Sequence, residues 1–197
     1  MLSYLPPVTR ALLLTNVGIF LLQLLLGPVL VQWFALWPPG PYFEPWQLLT
    51  YAFLHDGWMH ILVNMFALFM FGTPMERFLG ARRFTLYFFV CVLTAGLTQT
   101  TVTVLEHAGA PTIGASGGIF GLLLAFAMYF PRARITLLFP PIPLPAWLFV
   151  LIYGLVELFL GVTGNEADVA HFAHLGGMLG GAAIILFWRA TDRANKR

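Results

Sequence analysis

The sequence predicts an all-α membrane protein: six transmembrane helices, both termini in the cytoplasm (N-in/C-in), and a first outer loop lying in the membrane interface. Three observations predict it. Of 197 residues, 59% are hydrophobic and 9% charged, with a mean hydropathy of +0.84, where a soluble domain carries about 25% charged residues. The apolar residues gather into six segments, and since a spanning helix needs about 20 residues they occupy the chain as a single domain over residues 1–197. The ten Lys and Arg fall in four places: Arg10; Arg77, Arg82 and Arg83; Arg132 and Arg134; and Arg189, Arg193, Lys196 and Arg197. The alternate connections carry Glu44 and Asp56, Glu106, and Glu166 and Asp168, with no basic residue. The positive-inside rule places the basic connections in the cytoplasm, which accounts for the net charge of +2 without a nucleic-acid partner. The lone Cys91 leaves no intrachain disulfide.

The first segment, Ala11–Val31, exceeds the roughly 7–15 apolar residues of a signal peptide and has no small-residue cleavage site. Residues 32–57 carry Trp33, Phe34, Trp37, Tyr42, Phe43 and Trp46. Aromatic rings with a polar edge favour the headgroup level, so short amphipathic helices in the interface are expected, as an aromatic belt or as the place where a substrate is received. The second span, Trp58–Met75, carries His60 and Asn64 one turn apart on one face. The third is Phe84–Leu105. The fourth, Ser116–Phe130, is anomalous: at about 1.5 Å per residue it reaches roughly 22 Å, short of a hydrocarbon core near ~30 Å. Pro131 and Arg132 fix its cytoplasmic end, so Ser116 lies below the outer surface and residues 109–115 descend into the membrane as non-helical chain. Such backbone survives only when buried in protein or lining a wet cavity. Pro131, Pro140, Pro141, Pro143 and Pro145 make the next connection an extended cytoplasmic linker. The fifth span is Ala146–Gly161, with Glu157 in its outer half, and the sixth is Val169–Trp188.

The same ruler places four polar groups in one layer. His174 and Ser116 each lie roughly 21 Å above the cytoplasmic edge of their spans, and His60 and Asn64 roughly 17–23 Å above Met75. Gly117 and Gly121 on span four and Gly177 and Gly181 on span six form two G-x-x-x-G pairs that permit close backbone approach; if those faces pack together, Ser116 and His174 face each other near the top of the contact. Tight packing around a satisfied core histidine would explain one such pair; polar groups at membrane depth are costly, and four at one level favour chemistry. A hydroxyl within reach of an imidazole supports nucleophilic catalysis. His60, Asn64 and the backbone N–H of Ser116 are available donors for an oxyanion. Gly114 to Gly118 also fits G-x-S-x-G, but that elbow needs a preceding strand in a soluble sheet, which the context excludes.

These residues resemble the rhomboid intramembrane serine proteases over about Trp46 to Gly181: Gly114-Ala115-Ser116-Gly117 opening span four, His60-x-x-x-Asn64 on span two, and Ala173-His174-x-x-Gly177-x-x-x-Gly181 on span six. The resemblance implies a Ser116–His174 dyad, an oxyanion hole using His60 and Asn64, and a transmembrane-segment substrate cut near the outer surface of the bilayer; with nucleophile and base both side chains, no metal or cofactor is expected. It also implies a multi-pass location such as the bacterial inner membrane. Phe120 matches an aromatic position that stacks on the histidine, and Glu76 and Gly80 match a structural cytoplasmic motif. Where the family often has Trp-Arg in the first outer loop, this chain has Trp46-Gln47, which puts the stability of the loop in question more than the chemistry.

His171 is an alternative base, one turn nearer the outer surface and above the serine layer. A metal site from Asp168, His171 and His174 is the weaker reading, since the chain has no H-E-x-x-H. Glu157 is a candidate to orient His174 or a carboxylate hydrogen-bonded at a cavity rim. A transporter would also use broken helices, but no related halves are visible; a non-catalytic relative that escorts membrane segments would have lost the dyad.

Overall fold

The computed structural model describes residues 4–107, 109–136, 141–164 and 169–194. Pro140, Glu166, Asp168, Lys196 and Arg197 lie outside the described residues. Among the described residues, five helices are long and apolar enough to cross a membrane, and a further apolar helix is shorter.

Helix α1 (Pro7–Leu26) begins on a proline, whose missing N–H is one of the first-turn orphans in any case. Its remaining orphans are met from elsewhere in the chain: the buried Glu76 carboxylate accepts Val8 N–H at 2.9 Å, Thr9 N–H at 2.6 Å and the Thr9 hydroxyl at 2.7 Å. The expected Ala11–Val31 span is corrected here. Gly27 adopts φ +50° and Pro28 follows, so the helix stops at Leu26 and a second one, α2 (Pro28–Phe34), starts in a new direction.

The outer loop continues into α3 (Gln47–Thr50) and a 3₁₀ turn at Tyr51–Phe53. Gln47 is fully buried and clasps this loop: its Oε1 accepts Trp37 N–H at 3.2 Å, and its Nε2 donates to Tyr42 O at 2.9 Å and Trp33 O at 3.4 Å. A neutral amide therefore ties the segment where the family's arginine is absent.

Helices α4 (Trp58–Ala67) and α5 (Thr73–Leu79) are joined through a π-helical turn, Leu68–Gly72, into one rod. Pro74 cannot donate to Met70, and the widened turn absorbs the missing bond. Gly80, at φ +76°, ends the rod and opens α6 (Ala81–Glu106). Helix α7 (Ser116–Tyr129) is buried at most of its positions and forms the centre of the bundle against α6 and α9 (His171–Ala194). Between α7 and α8 (Ala146–Thr163) the expected extended linker is instead a short antiparallel hairpin. Strands β1 (Arg134–Thr136) and β2 (Pro143–Pro145) pair Ile135 with Leu144, and as a two-stranded edge the pair tolerates prolines that cannot donate.

Apolar side chains such as Leu25, Met59, Leu62, Leu179 and Phe187 face outward, as a lipid-facing surface requires. At the end of the bundle opposite Ser116, Arg189 donates to Met128 O at 3.0 Å, Arg83 pairs with Asp192 at 2.9 Å and Arg77 donates to Tyr4 O at 3.0 Å.

Candidate active site

Ser116 is the first residue of α7, and no side chain caps that terminus. The segment before it, residues 109–115, is non-helical, and protein groups satisfy its backbone: Leu36 and Thr112 exchange N–H···O bonds of 3.0 and 2.9 Å, and Gly114 N–H donates to Tyr51 O at 2.9 Å. Tyr51 is held in turn by a 2.8 Å bond from its hydroxyl to Val92 O, and burial keeps the phenol above its usual pKa range.

Helices α7 and α9 meet backbone to backbone. A Cβ on Gly177 would collide with the carbonyl of Gly117, and one on Gly121 would meet Cys91 and approach Gly177 O. This contact carries the first turn of α9 to the start of α7, and His174 Nε2 lies 2.7 Å from Ser116 Oγ. Phe120, one turn below Ser116, stacks on the imidazole with ring centroids 4.2 Å apart and planes within 4°. Ser116 is half-buried and His174 buried.

The other face comes from α4. His60 Nδ1 accepts Asp56 N–H at 3.2 Å, so the neutral ring carries its proton on Nε2. That nitrogen points to Gly114: a Cβ there would stand 2.8 Å from it and 3.8 Å from Ser116 Oγ. Gly114, at φ +123°, is thus a glycine for its backbone and for the room it leaves His60. Asn64 is buried and donates from Nδ2 to His60 O at 2.9 Å. One amide hydrogen is used within the helix, leaving a second for another acceptor. His55 packs edge-on against His60 with centroids 5.1 Å apart; burial, and secondarily His60, pushes its pKa down to about 4. Gln23 of α1 bonds its backbone on both sides, accepting His55 N–H at 2.9 Å and donating to His55 O at 3.3 Å.

His171 does not reach the serine. Its Nδ1 lies 2.7 Å from Glu157 Oε2, and His174 Nδ1 lies 2.8 Å from the same oxygen. Glu157, His171 and His174 are the described residues whose donor atoms cluster as metal ligands would; Asp168 of the expected alternative is outside the described residues. Sequence spacing missed the contribution of Tyr51, Gln23 and His55, whose partners are distant in the chain. It weighed Glu157 without the one pattern that marks it, Gly154, Glu157 and Gly161 at i, i+3 and i+7 on one helix face.

Fold and site together define a multi-pass helical membrane protein with a serine–histidine pair at the start of a short central helix. A family model described as the rhomboid domain matches residues 42–190, and the chain belongs to the rhomboid family. It is 30% identical over 160 residues to mitochondrial rhomboid protein 1 of Saccharomyces cerevisiae, covering 77% of this chain and 43% of that protein. It is 33% identical over 121 residues to rhomboid protease GlpG of Klebsiella pneumoniae, 59% of this chain and 41% of the relative. Against rhomboid protease GlpG of Yersinia pestis it is 27% identical over 191 residues, 95% and 64% of the two chains. The chain therefore spans less than two thirds of the length of these relatives.

Proposed function

We propose that the chain is an intramembrane serine endopeptidase that cleaves transmembrane segments of other membrane proteins, with Ser116 as nucleophile and His174 as general base. The observation that carries the reading is the 2.7 Å contact between Ser116 Oγ and His174 Nε2 at the uncapped start of α7. His174 Nε2 takes the hydroxyl proton as Oγ attacks the scissile carbonyl carbon. The tetrahedral oxyanion accepts hydrogen bonds from Ser116 N–H, His60 Nε2–H and the second Asn64 amide hydrogen. Collapse expels the amine, which receives the proton from His174, and water then hydrolyses the acyl ester by the same path in reverse. Nucleophile and base are both side chains, so the chemistry draws on neither metal nor cofactor.

The same reading takes residues 1–197 as one domain of six spans, the short α7 included. Both termini are cytoplasmic, the first outer loop is interfacial, and the bacterial inner membrane is the location. Gathering of Arg77, Arg83 and Arg189 at the end of the bundle opposite Ser116 supports that orientation. The test is cleavage of a single-span substrate by the purified protein in lipid. Wild type should cut and Ser116→Ala should not, a fluorophosphonate should label Ser116, and chelators should leave the rate unchanged. Cleavage by Ser116→Ala at the wild-type rate would refute the assignment.

A further inference from the structure

Glu157 is a buried carboxylate on a helix most of whose other side chains are apolar and face outward. The face of α8 that carries it is built for close approach. Gly154, one turn before, lies against Met178 of α9, and Gly161, one turn after, leaves room for Phe172 and the Cβ of His171. Between them the carboxylate reaches into α9 and one oxygen, Oε2, meets His171 Nδ1 at 2.7 Å and His174 Nδ1 at 2.8 Å.

The chemistry of these contacts is fixed by what an ionised carboxylate can do, which is only accept. Both Nδ1 atoms therefore donate, and neutral His174 must hold its proton on Nδ1 and leave Nε2 bare toward Ser116 Oγ. The opposite tautomer would aim N–H at the serine and could not act as a base. Once the serine proton has moved to Nε2, the imidazolium stands 2.8 Å from a negative charge with little water between. His171 supplies the carboxylate with a second donor and so pins it on the line to His174.

The three groups could be taken for metal ligands. Each histidine Nδ1, however, lies 2.7–2.8 Å from the carboxylate oxygen, closer than the about 3.3 Å edge of a tetrahedron with bonds of 2.0–2.1 Å to zinc, and that spacing is the spacing of a shared proton.

We propose that Glu157 is a positioning residue that extends the serine–histidine pair to a Ser116–His174–Glu157 relay, selecting the productive tautomer of His174 and stabilising its charged form, with His171 as the clamp that holds the carboxylate. This rests on the protease reading above. In a soluble serine protease, removing the corresponding carboxylate costs about 10⁴ in kcat. Here Phe120 also holds the ring, and the amide oxygen of Glu157→Gln can still accept from both Nδ1 atoms.

The full chain in lipid should therefore lose about 10- to 100-fold in kcat as Glu157→Gln, with KM within threefold and an unchanged melting temperature, and more as Glu157→Leu. Ser116 phosphonylation should slow in parallel. A readout independent of turnover is the Nδ1 proton of His174, observed by NMR with ¹⁵N-histidine and assigned by its loss in His174→Ala. It should be hydrogen-bonded and downfield in wild type and move upfield in Glu157→Gln. Should wild type fail to cleave any segment, the protease reading fails while this proton still tests the relay. A kcat for Glu157→Gln within twofold of wild type, a loss confined to KM or stability, or an unmoved Nδ1 proton would each overturn the proposal.

Discussion

Gly114→Ala is a small change whose consequences can be worked from two separate features of the site. Alanine at φ +123° carries backbone strain of about 1–3 kcal/mol. Its Cβ would stand 2.8 Å from His60 Nε2 and 3.0 Å from Cε1. Ordinary contacts between such atoms are about 3.5 Å, so the ring must withdraw by roughly 0.5–0.7 Å. A displacement of about 1 Å can cost about 10² in rate, and outright loss of an oxyanion donor about 10²–10³. The expected result is a fall in kcat of about 10- to 100-fold with KM little changed. The assay is steady-state cleavage of a single-span substrate, with the active fraction titrated by a fluorophosphonate so that partial unfolding is divided out. The decisive sample is the double variant Gly114→Ala, His60→Ala. If the methyl acts by displacing His60, it has nothing to displace in that background, and the double variant should lose no more than His60→Ala does. The coupling is then about 1.4–2.7 kcal/mol, the full effect of the single change. Additive losses, or a Gly114→Ala protein with wild-type kcat, would show that His60 does not occupy the reactive layer as the geometry implies.

Asn64→Ala should lower kcat by about 10²-fold or less, since two other donors remain, without a matching rise in KM; an unchanged kcat removes it from the oxyanion hole. Glu76→Gln should cost about 2–4 kcal/mol of stability, because the buried carboxylate accepts three bonds at the start of α1 and an amide oxygen can keep only part of them; thermal unfolding in detergent reads this directly. His55 titrates at about 4 when folded and near 6.5 when unfolded. The unfolded chain therefore binds the proton first as pH falls, and the stability held above pH 6.5 drains away towards pH 4. Between pH 7 and 4.5 this group should account for about 2–3 kcal/mol, an increment that His55→Phe should lack when the two proteins' melting curves are compared. Cysteines introduced at positions 44, 107 and 166 should react with an impermeant reagent from outside sealed cells, and labelling only from the cytoplasmic side would reverse the proposed topology.

How far the sequence could be read depended on whether a feature was local. The shortness of α7, the common level of Ser116 and His174, and the small residues between them all follow from position along a helix of known rise, so a single chain displays them. The stop at Gly27-Pro28 is equally local, but a continuous apolar run concealed it, since hydropathy does not report backbone direction. The hairpin between α7 and α8 was hidden by its prolines, which exclude a helix and are silent about edge pairing. Contacts that cross the chain were invisible in principle. Nothing near Gln23 points to His55, nothing near Gln47 announces a clasp on Trp33 and Tyr42, and Glu157 reads as a stray carboxylate until α8 is laid on α9.

The two halves of the site are held by different kinds of structure, and this governs which lesions should affect which step. Ser116 and His174 are related by the direct packing of Gly117 on Gly177, where no side chain lies between the two backbones to adjust. The donors on α4 are related to Ser116 through the 51–57 turn, the 109–115 segment and Gly114, a path made of loops, single hydrogen bonds and two glycines with positive φ, Gly57 and Gly114, and further down the rod through the packing of the Leu68–Gly72 turn on α7, where Phe71 meets Phe126. Helix α4 also presents Met59, Leu62, Val63 and Phe66 outward, so one side of it is left uncovered by the described residues. Loss of the α7–α9 contact must separate nucleophile from base and abolish both labelling and turnover. Displacement of α4 or of the 51–57 turn should leave the serine activated while it weakens stabilisation of the oxyanion. On the proposed mechanism the α7–α9 contact thus governs activation of Ser116, and the path to α4 governs the rate of turnover.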